Sequence, residues 1–516
     1  MRRWSAVAAL SALLVLSMAP ASSAVQPLPI GELDGRIDAL REAFGIPGLA
    51  IAVVRHDSIV LARGYGIRRV GEAGRIDAET LFAIGSTTKA FTSTAMAMLV
   101  GEGALAWDDP VASLLPGFAL EDAWLTREIT VRDILAHRSG LPMANLLWLS
   151  GLHDTGELVR RLRFLEPASG FRSAFSYQNV LYAAAGQIVE RTTGSAWGDF
   201  VERRIFDPLG MERSTTSLAD LEVAGNVASP HVSIDGAVQP VPYRDIDAIG
   251  PAGSILSSAE DMGEWLRFQL SGGLARDGEL LDREALLETR RPQILIPPEG
   301  PVATFYPDAR SLAYGMGWVI SEYRGRTLLD HGGGIDGMTT LVAMVPEEGL
   351  GVAILTNHQT ATPPYWILYP VLDVLLGHEP VDRTDGFRAI ADQVEAILRV
   401  EPARVDGARP LLPLESYAGA YESTPLGSAR VTLEDGRLVF RFGRFTGPLA
   451  AWHFDTFRVE WEDRAWRAAA GPGWITFRLD RAGKVERLEL IAIPGETPWT
   501  FERSSAVSES ESANRP

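Results

Sequence analysis

The chain has 516 residues, 46% hydrophobic and 22% charged, a globular composition with material for two folded units. Its 66 acidic against 48 basic residues give a net charge of -18, so the basic footprint that nucleic acid requires is missing. There is no cysteine, which excludes disulfides, thiol nucleophiles, thiolate metal sites and a lipid-modified N-terminal cysteine, and the eight histidines form no H-E-x-x-H or H-x-H pair. No metal or other cofactor is expected.

In chain order, Arg2 and Arg3, the apolar run Val7 to Met18 and the small residues Ser22-Ser23-Ala24 predict an export signal over 1–24, cleaved after Ala24. The apolar run is shorter than the ~20 residues that span a bilayer, so an uncleaved anchor is the lesser alternative and no stable membrane span is expected. The mature protein is expected to be periplasmic or secreted. Leu33, Ile37, Leu40 and Phe44 predict an amphipathic helix ending near Gly45 and Pro47. The runs Ala50 to Arg55 and Ile59 to Arg63 flank His56-Asp57 as a hairpin.

The middle of the chain reads as helical. Thr130 with Asp133 and Ser258 with Asp261 match helix-capping pairs, while Gly140 before Pro142, Gly194 and Gly272-Gly273 mark stops. Three β-rich runs follow, Thr327 to Asp330, Thr339 to Val345 and Gly351 to Thr356. With the first hairpin they predict one antiparallel sheet packed by helices, an α/β sandwich over residues 25–376. Residues 377–413 read as a linker whose helix places Phe387, Ile390, Val394, Ile397 and Leu398 on one face. Period-2 alternation through Leu438, Phe440 and Phe442, then Phe457, Val459 and Trp461, then Ile475, Phe477 and Leu479, predicts a small antiparallel barrel or sandwich over 414–503, without helices. The polar tail 504–516 is expected to be disordered.

Lysine occurs only at Lys89 and Lys484; every other residue among the 48 basic ones is arginine. A guanidinium keeps its proton in a protein, whereas a buried ammonium can lose it, so Lys89 marks a place where lysine chemistry matters. Ser86 precedes Lys89 by three residues, in Ile84-Gly85-Ser86-Thr87-Thr88-Lys89, which puts both on one face of a helix running toward Val100. A neutral amine there can deprotonate the hydroxyl, and a helix N-terminus favours an oxyanion and discourages protonation of Lys89.

Two further clusters accompany this pair. Phe175-Ser176-Tyr177-Gln178-Asn179 stands at the entrance to a helix with Leu181, Ala184, Ala185, Ile188 and Val189 on its buried face. Beside a charged lysine, the Tyr177 phenol becomes a usable base, and Asn179 can orient the amine or a substrate amide. Asp330-His331-Gly332-Gly333-Gly334 closes a predicted strand, its glycines letting substrate approach the backbone.

Together, over about Ile30 to Leu376 and in matching order, these elements resemble the penicillin-recognising serine hydrolases, in the branch of class C β-lactamases, D-aminopeptidases and esterases. The resemblance implies Ser86 as nucleophile, Lys89 as its partner and Tyr177 as the group that accepts the proton and passes it to the leaving group. It implies Asn179 and His331-Gly332-Gly333 in substrate binding, and an oxyanion hole from the N–H groups of Ser86 and Gly334. Leu135-Ala136-His137-Arg138-Ser139-Gly140-Leu141 resembles a structural loop of the family, with His137 away from the chemistry. His331 stands where β-lactamases have lysine, and a neutral imidazole grips a carboxylate less firmly. Strong β-lactamase activity is therefore not expected, and the resemblance to the H-x-G form of the family implies a short peptide with D-residues, or another small amide or ester, as substrate, with a carboxylesterase or weak β-lactamase as the alternative. A catalytically silent receptor of the same fold is the reading from another class, and it would lack one of these residues. A Ser-His-Asp hydrolase is disfavoured because no G-x-S-x-G elbow occurs. The C-terminal domain resembles the lipocalin-like appendage of some such hydrolases, expected to line or cap the cleft or to mediate assembly, and the oligomeric state is left open.

Overall fold

The structure, a computed structural model, describes residues 30–221, 225–299 and 301–504. The expected export signal therefore lies outside the described residues, as does the tail beyond Ser504. The first helix, α1 (Ile30–Ala43), buries Leu33 and Ile37 and ends at Gly45, whose positive φ of 64 suits glycine.

The expected α/β sandwich is present. Its sheet contains β1 (Gly48–Arg55), β2 (Ser58–Gly66), β3 (Ile294–Leu295), β4 (Ala313–Tyr314), β5 (Val319–Tyr323), β6 (Arg326–Ile335), β7 (Met338–Val345) and β8 (Leu350–Thr356). The strand order is β2-β1-β8-β7-β6-β5-β4-β3, antiparallel throughout. Both faces are buried, and alternation assigns them. Ala50, Ala52, Ala353 and Leu355 face the core of the helical middle, while Leu49, Ile51, Ala343 and Ile354 face a second core under α1. The helical middle includes α2 (Thr88–Gly101), α3 (Asn179–Thr193) and α4 (Ala259–Ser271). The predicted caps form: Thr130 and Asp133 make a reciprocal capping box, and Ser258 accepts the N–H of Asp261. On the far face, α5 (Tyr365–Leu375) packs beside α1.

Two local features differ from the sequence expectation. The strand expected to stop at Asp330 runs on through His331-Gly332-Gly333-Gly334 to Ile335. At two of these positions side chains are excluded, because a Cβ on Gly332 would press on Pro363, and one on Gly333 would overlap the Ile84 carbonyl and the Thr340 hydroxyl. The strands β3 and β4, two residues each, are too short for a period-2 signal.

In the linker, α6 (Thr384–Leu398) buries Phe387 and Ile390 but leaves Ile397 half exposed. The C-terminal unit is a closed antiparallel barrel of eight strands: β9 (Gly419–Ser423), β10 (Gly427–Glu434), β11 (Arg437–Phe442), β12 (Phe445–His453), β13 (Thr456–Val459), β14 (Gly473–Leu479), β15 (Val485–Ile491) and β16 (Trp499–Arg503). Closure leaves no open sheet edge. Buried Tyr421, Phe440, Phe442, Phe457, Phe477 and Phe501 pack its core. The expectation of no helix is corrected: α7 (Arg464–Ala470) stands between β13 and β14, with Asp463 capping the Trp466 N–H. Among the described residues, no helix is long and apolar enough to cross a membrane.

Candidate active site

Ser86 sits in a 3-10 turn, Gly85–Thr87, that leads directly into α2. Gly85 has φ 53, and a Cβ there would come within 2.8 Å of the Gly334 nitrogen, so glycine is needed to seat this turn against β6. Ser86 is partly exposed, while Gly85 and Thr87 beside it are buried. Its hydroxyl thus faces the cleft from a rigid base.

One turn deeper, Lys89 is fully buried. Its Nζ lies 3.1 Å from Ser86 Oγ and 2.8 Å from both Asn179 Oδ1 and the Ala252 carbonyl oxygen. Burial holds the amine well below its ordinary pKa, favouring the neutral form. A neutral amine has two N–H groups and one lone pair. Two of its three neighbours are carbonyl oxygens that can only accept, so the lone pair is left for the Ser86 hydroxyl.

Tyr177 lies in the extended segment before α3, with Lys89 Nζ 4.7 Å from its ring centroid. The expected acidification by a lysine charge is reversed. Burial pushes the phenol above its ordinary value, with a hydrogen bond to Ser86 pulling the other way. Gln178, whose side chain accepts the Val180 N–H at 2.9 Å, caps α3. Asn179 is thereby free to face Lys89, and its Nδ2 donates to Asn145 Oδ1 at 3.3 Å.

The placement of His137 corrects another expectation. It is fully buried and packs on Tyr177 with ring centroids 4.2 Å apart, while Nδ1 accepts the Gln178 N–H at 3.1 Å. It touches Tyr177 directly and supports the phenol.

His331 lines the same cleft, but both ring nitrogens are engaged. Nδ1–H donates to the Gly332 carbonyl at 2.7 Å, which leaves Nε2 to accept from the Tyr314 hydroxyl at 3.0 Å. Burial pushes its pKa down to about 3, so the ring is neutral at pH 7. Gly333 lies between β7 and Ile84, and Gly334 faces Gly85.

These residues open on a cavity of about 670 Å³, lined by Ser86, Tyr177, His331 and Gly332 to Gly334 with Trp148, Phe175 and Tyr314. Asn145, Tyr314 and the Ala252 carbonyl escaped sequence reasoning, being isolated residues outside any motif. Trp466, also on the cavity wall, escaped with its helix, although Asp463 followed by Arg-Ala-Trp-Arg-Ala-Ala-Ala-Gly is a capped, alanine-rich helix signal.

A family model described as Beta-lactamase matches residues 33–367. The chain belongs to the beta-lactamase family. A second match, to a domain of unknown function (DUF3471), covers residues 403–503. Among relatives of this beta-lactamase-family chain, the unguisins hydrolase ungD of Aspergillus violaceofuscus is 30% identical over 448 residues, 79% of this chain and 78% of the relative. Penicillin-binding protein 4 of Amycolatopsis lactamdurans is 33% identical over 338 residues, 63% of this chain and 85% of that protein. The octameric penicillin-binding protein homologue from Pyrococcus abyssi shares the fold with a TM-score of 0.61 at 24% identity, over 92% of this chain and all of that one. A class C beta lactamase from Rhodobacter sphaeroides aligns with a TM-score of 0.54 at 22% identity, over 67% and 98% of the two chains. The protein is thus a serine hydrolase of the beta-lactamase and penicillin-binding-protein kind.

Proposed function

We propose that the chain cleaves small amide or ester substrates through an acyl-enzyme on Ser86, with peptides containing D-residues as its amide substrates. The observation that carries this reading is the Lys89 amine, buried and 3.1 Å from Ser86 Oγ with its other two neighbours able only to accept. Ser86 Oγ attacks the carbonyl carbon and its proton passes to Lys89 Nζ. The N–H groups of Ser86 and Gly334 receive the oxyanion, each such donor contributing on the order of 3 kcal/mol. As the intermediate collapses, the Tyr177 phenol protonates the departing nitrogen or oxygen and recovers a proton from Lys89. Water then repeats the sequence on the acyl-enzyme, restoring the Ser86 hydroxyl. Asn179 holds the amine in register.

Esters are the second reading, favoured by His331, whose engaged, uncharged ring gives no grip on the carboxylate of a β-lactam or a free peptide end. The relative named as an unguisins hydrolase supports hydrolysis over a silent receptor. We also place the protein in the periplasm or secreted, on the strength of its N-terminal residues.

A fluorophosphonate probe tests the nucleophile. It should label a single residue, Ser86, and Ser86→Ala should abolish labelling in a protein that stays folded; labelling that persists refutes the assignment. A panel of p-nitrophenyl butyrate, a D-aminoacyl amide, a D-Ala-D-Ala peptide and nitrocefin ranks the leaving groups.

A further inference from the structure

Part of the cleft wall comes from outside the hydrolase domain. Trp466, Ala469 and Ala470 on α7 and Ile493 after β15 line the same cavity as Ser86, joined by Leu398 at the end of α6. This wall is held in place. Arg244 pairs with Asp336, in the turn between β6 and β7, and lies 3.9 Å from Asp463, the cap of α7. Arg464 donates to Asp235 at 3.0 Å, and Trp466 packs edge-on against Phe445 with centroids 5.1 Å apart. Arg244 thus bridges the barrel helix to the strand pair that carries Gly334, Arg464 ties it to the hairpin around Asp235, and Trp466 anchors it on the barrel.

The charges around the cavity are equally specific. Among the described residues that line it there is no lysine or arginine, and its one carboxylate, Asp336, is paired with Arg244. His331 has no free N–H, and Lys89 lies beneath Ser86, its three neighbours already placed. What remains for recognition is aromatic and aliphatic surface with neutral groups such as Asn145, Gln359 and Thr360. An unpaired carboxylate moved from water to such a wall loses hydration and finds no cation to offset it, whereas an uncharged amide costs less to desolvate and can be satisfied by neutral hydrogen-bonding groups.

Resting on the proposed Ser86 chemistry, we infer that the cleft selects uncharged peptides, with the carboxyl end blocked as an amide, that carry an apolar or aromatic side chain held against the wall formed by Trp466 and Ala469 of the barrel unit and Leu398 of the linker helix. The barrel is then a specificity element of the active site.

Protection of Ser86 from a fluorophosphonate pulse tests this on the full chain. The two protecting ligands are N-acetyl-D-phenylalanyl-D-leucine as its free acid and as its C-terminal amide. The amide should halve the labelling rate at a concentration lower by about 10-fold or more. Equal potency, a better acid, or no protection by either overturns the inference. Ala469→Arg, which places a cation on a partly exposed position of α7, should shift the ratio toward the acid by about 10-fold; an unchanged ratio removes the barrel wall from recognition. Trp466→Ala should weaken protection by the amide several-fold, with circular dichroism reporting whether the barrel is intact. Absence of Ser86 labelling in the wild-type chain is a different result and overturns the hydrolase reading itself.

Discussion

Asn179 Oδ1 lies 2.8 Å from Lys89 Nζ, joining two helices whose contacting residues are ninety positions apart in the chain. With the Ala252 carbonyl it occupies both N–H groups of a neutral amine and turns the lone pair to Ser86. The proton inventory of the site follows from that contact.

Replacing Lys89 by arginine puts a permanent cation where burial favours a neutral amine and removes the base, because guanidinium does not deprotonate in a protein. Lys89→Arg should lower kcat/KM for p-nitrophenyl butyrate by about 10²- to 10⁴-fold. A loss below tenfold would move the base elsewhere.

The same lysine gives stability a pH signature. Its folded pKa lies below the unfolded value of 10.5, so between the two the unfolded chain binds the extra proton and stability rises with pH. The stability of wild type relative to Lys89→Met should therefore increase by roughly 1.4 kcal/mol per pH unit approaching 10.5 and level off above it. Urea unfolding at several pH values measures this, and a flat difference would mean a lysine charged in the fold.

Gly333 and Gly334 are adjacent, yet their surroundings differ. A Cβ on Gly333 meets the Ile84 carbonyl and Thr340, whereas one on Gly334 meets nothing within 4 Å. Gly333→Ala should lower Tm by several degrees, the effect of about 1–3 kcal/mol of overpacking, while Gly334→Ala should leave Tm nearly unchanged. Calorimetry on the two variants compares them directly, and equal losses would contradict the packing.

Asp330, buried behind His331, accepts from Tyr306 at 3.0 Å and Tyr365 at 2.6 Å, and burial pushes it up to about 7. Its folded pKa exceeds the unfolded value of 3.8, so its contribution is present below about 4 and is lost as pH rises toward 7. Asp330→Asn retains an acceptor for the tyrosines without the charge. The variant should gain Tm over wild type more at pH 8 than at pH 5, and a gain independent of pH would show that the carboxyl does not titrate in this range.

The sequence by itself determined five strands of the sheet, an antiparallel barrel or sandwich at the C-terminal end, and the candidate nucleophile. Period-2 alternation reports burial on a sheet face directly, and a serine three residues before the one lysine of the N-terminal domain stands out in a chain that otherwise uses arginine. Three matters belonged to the tertiary structure alone. The lowered pKa of Lys89 and the raised pKa of Tyr177 depend on desolvation, which arises only when distant segments close over them. The engagement of His331 depends on Tyr314, seventeen residues away on a two-residue strand. The wall supplied by α7 depends on how the barrel docks, through contacts such as Arg244 with Asp336. Local pattern encodes which face of an element is buried; which charges survive in a site is set by the groups that fold around it.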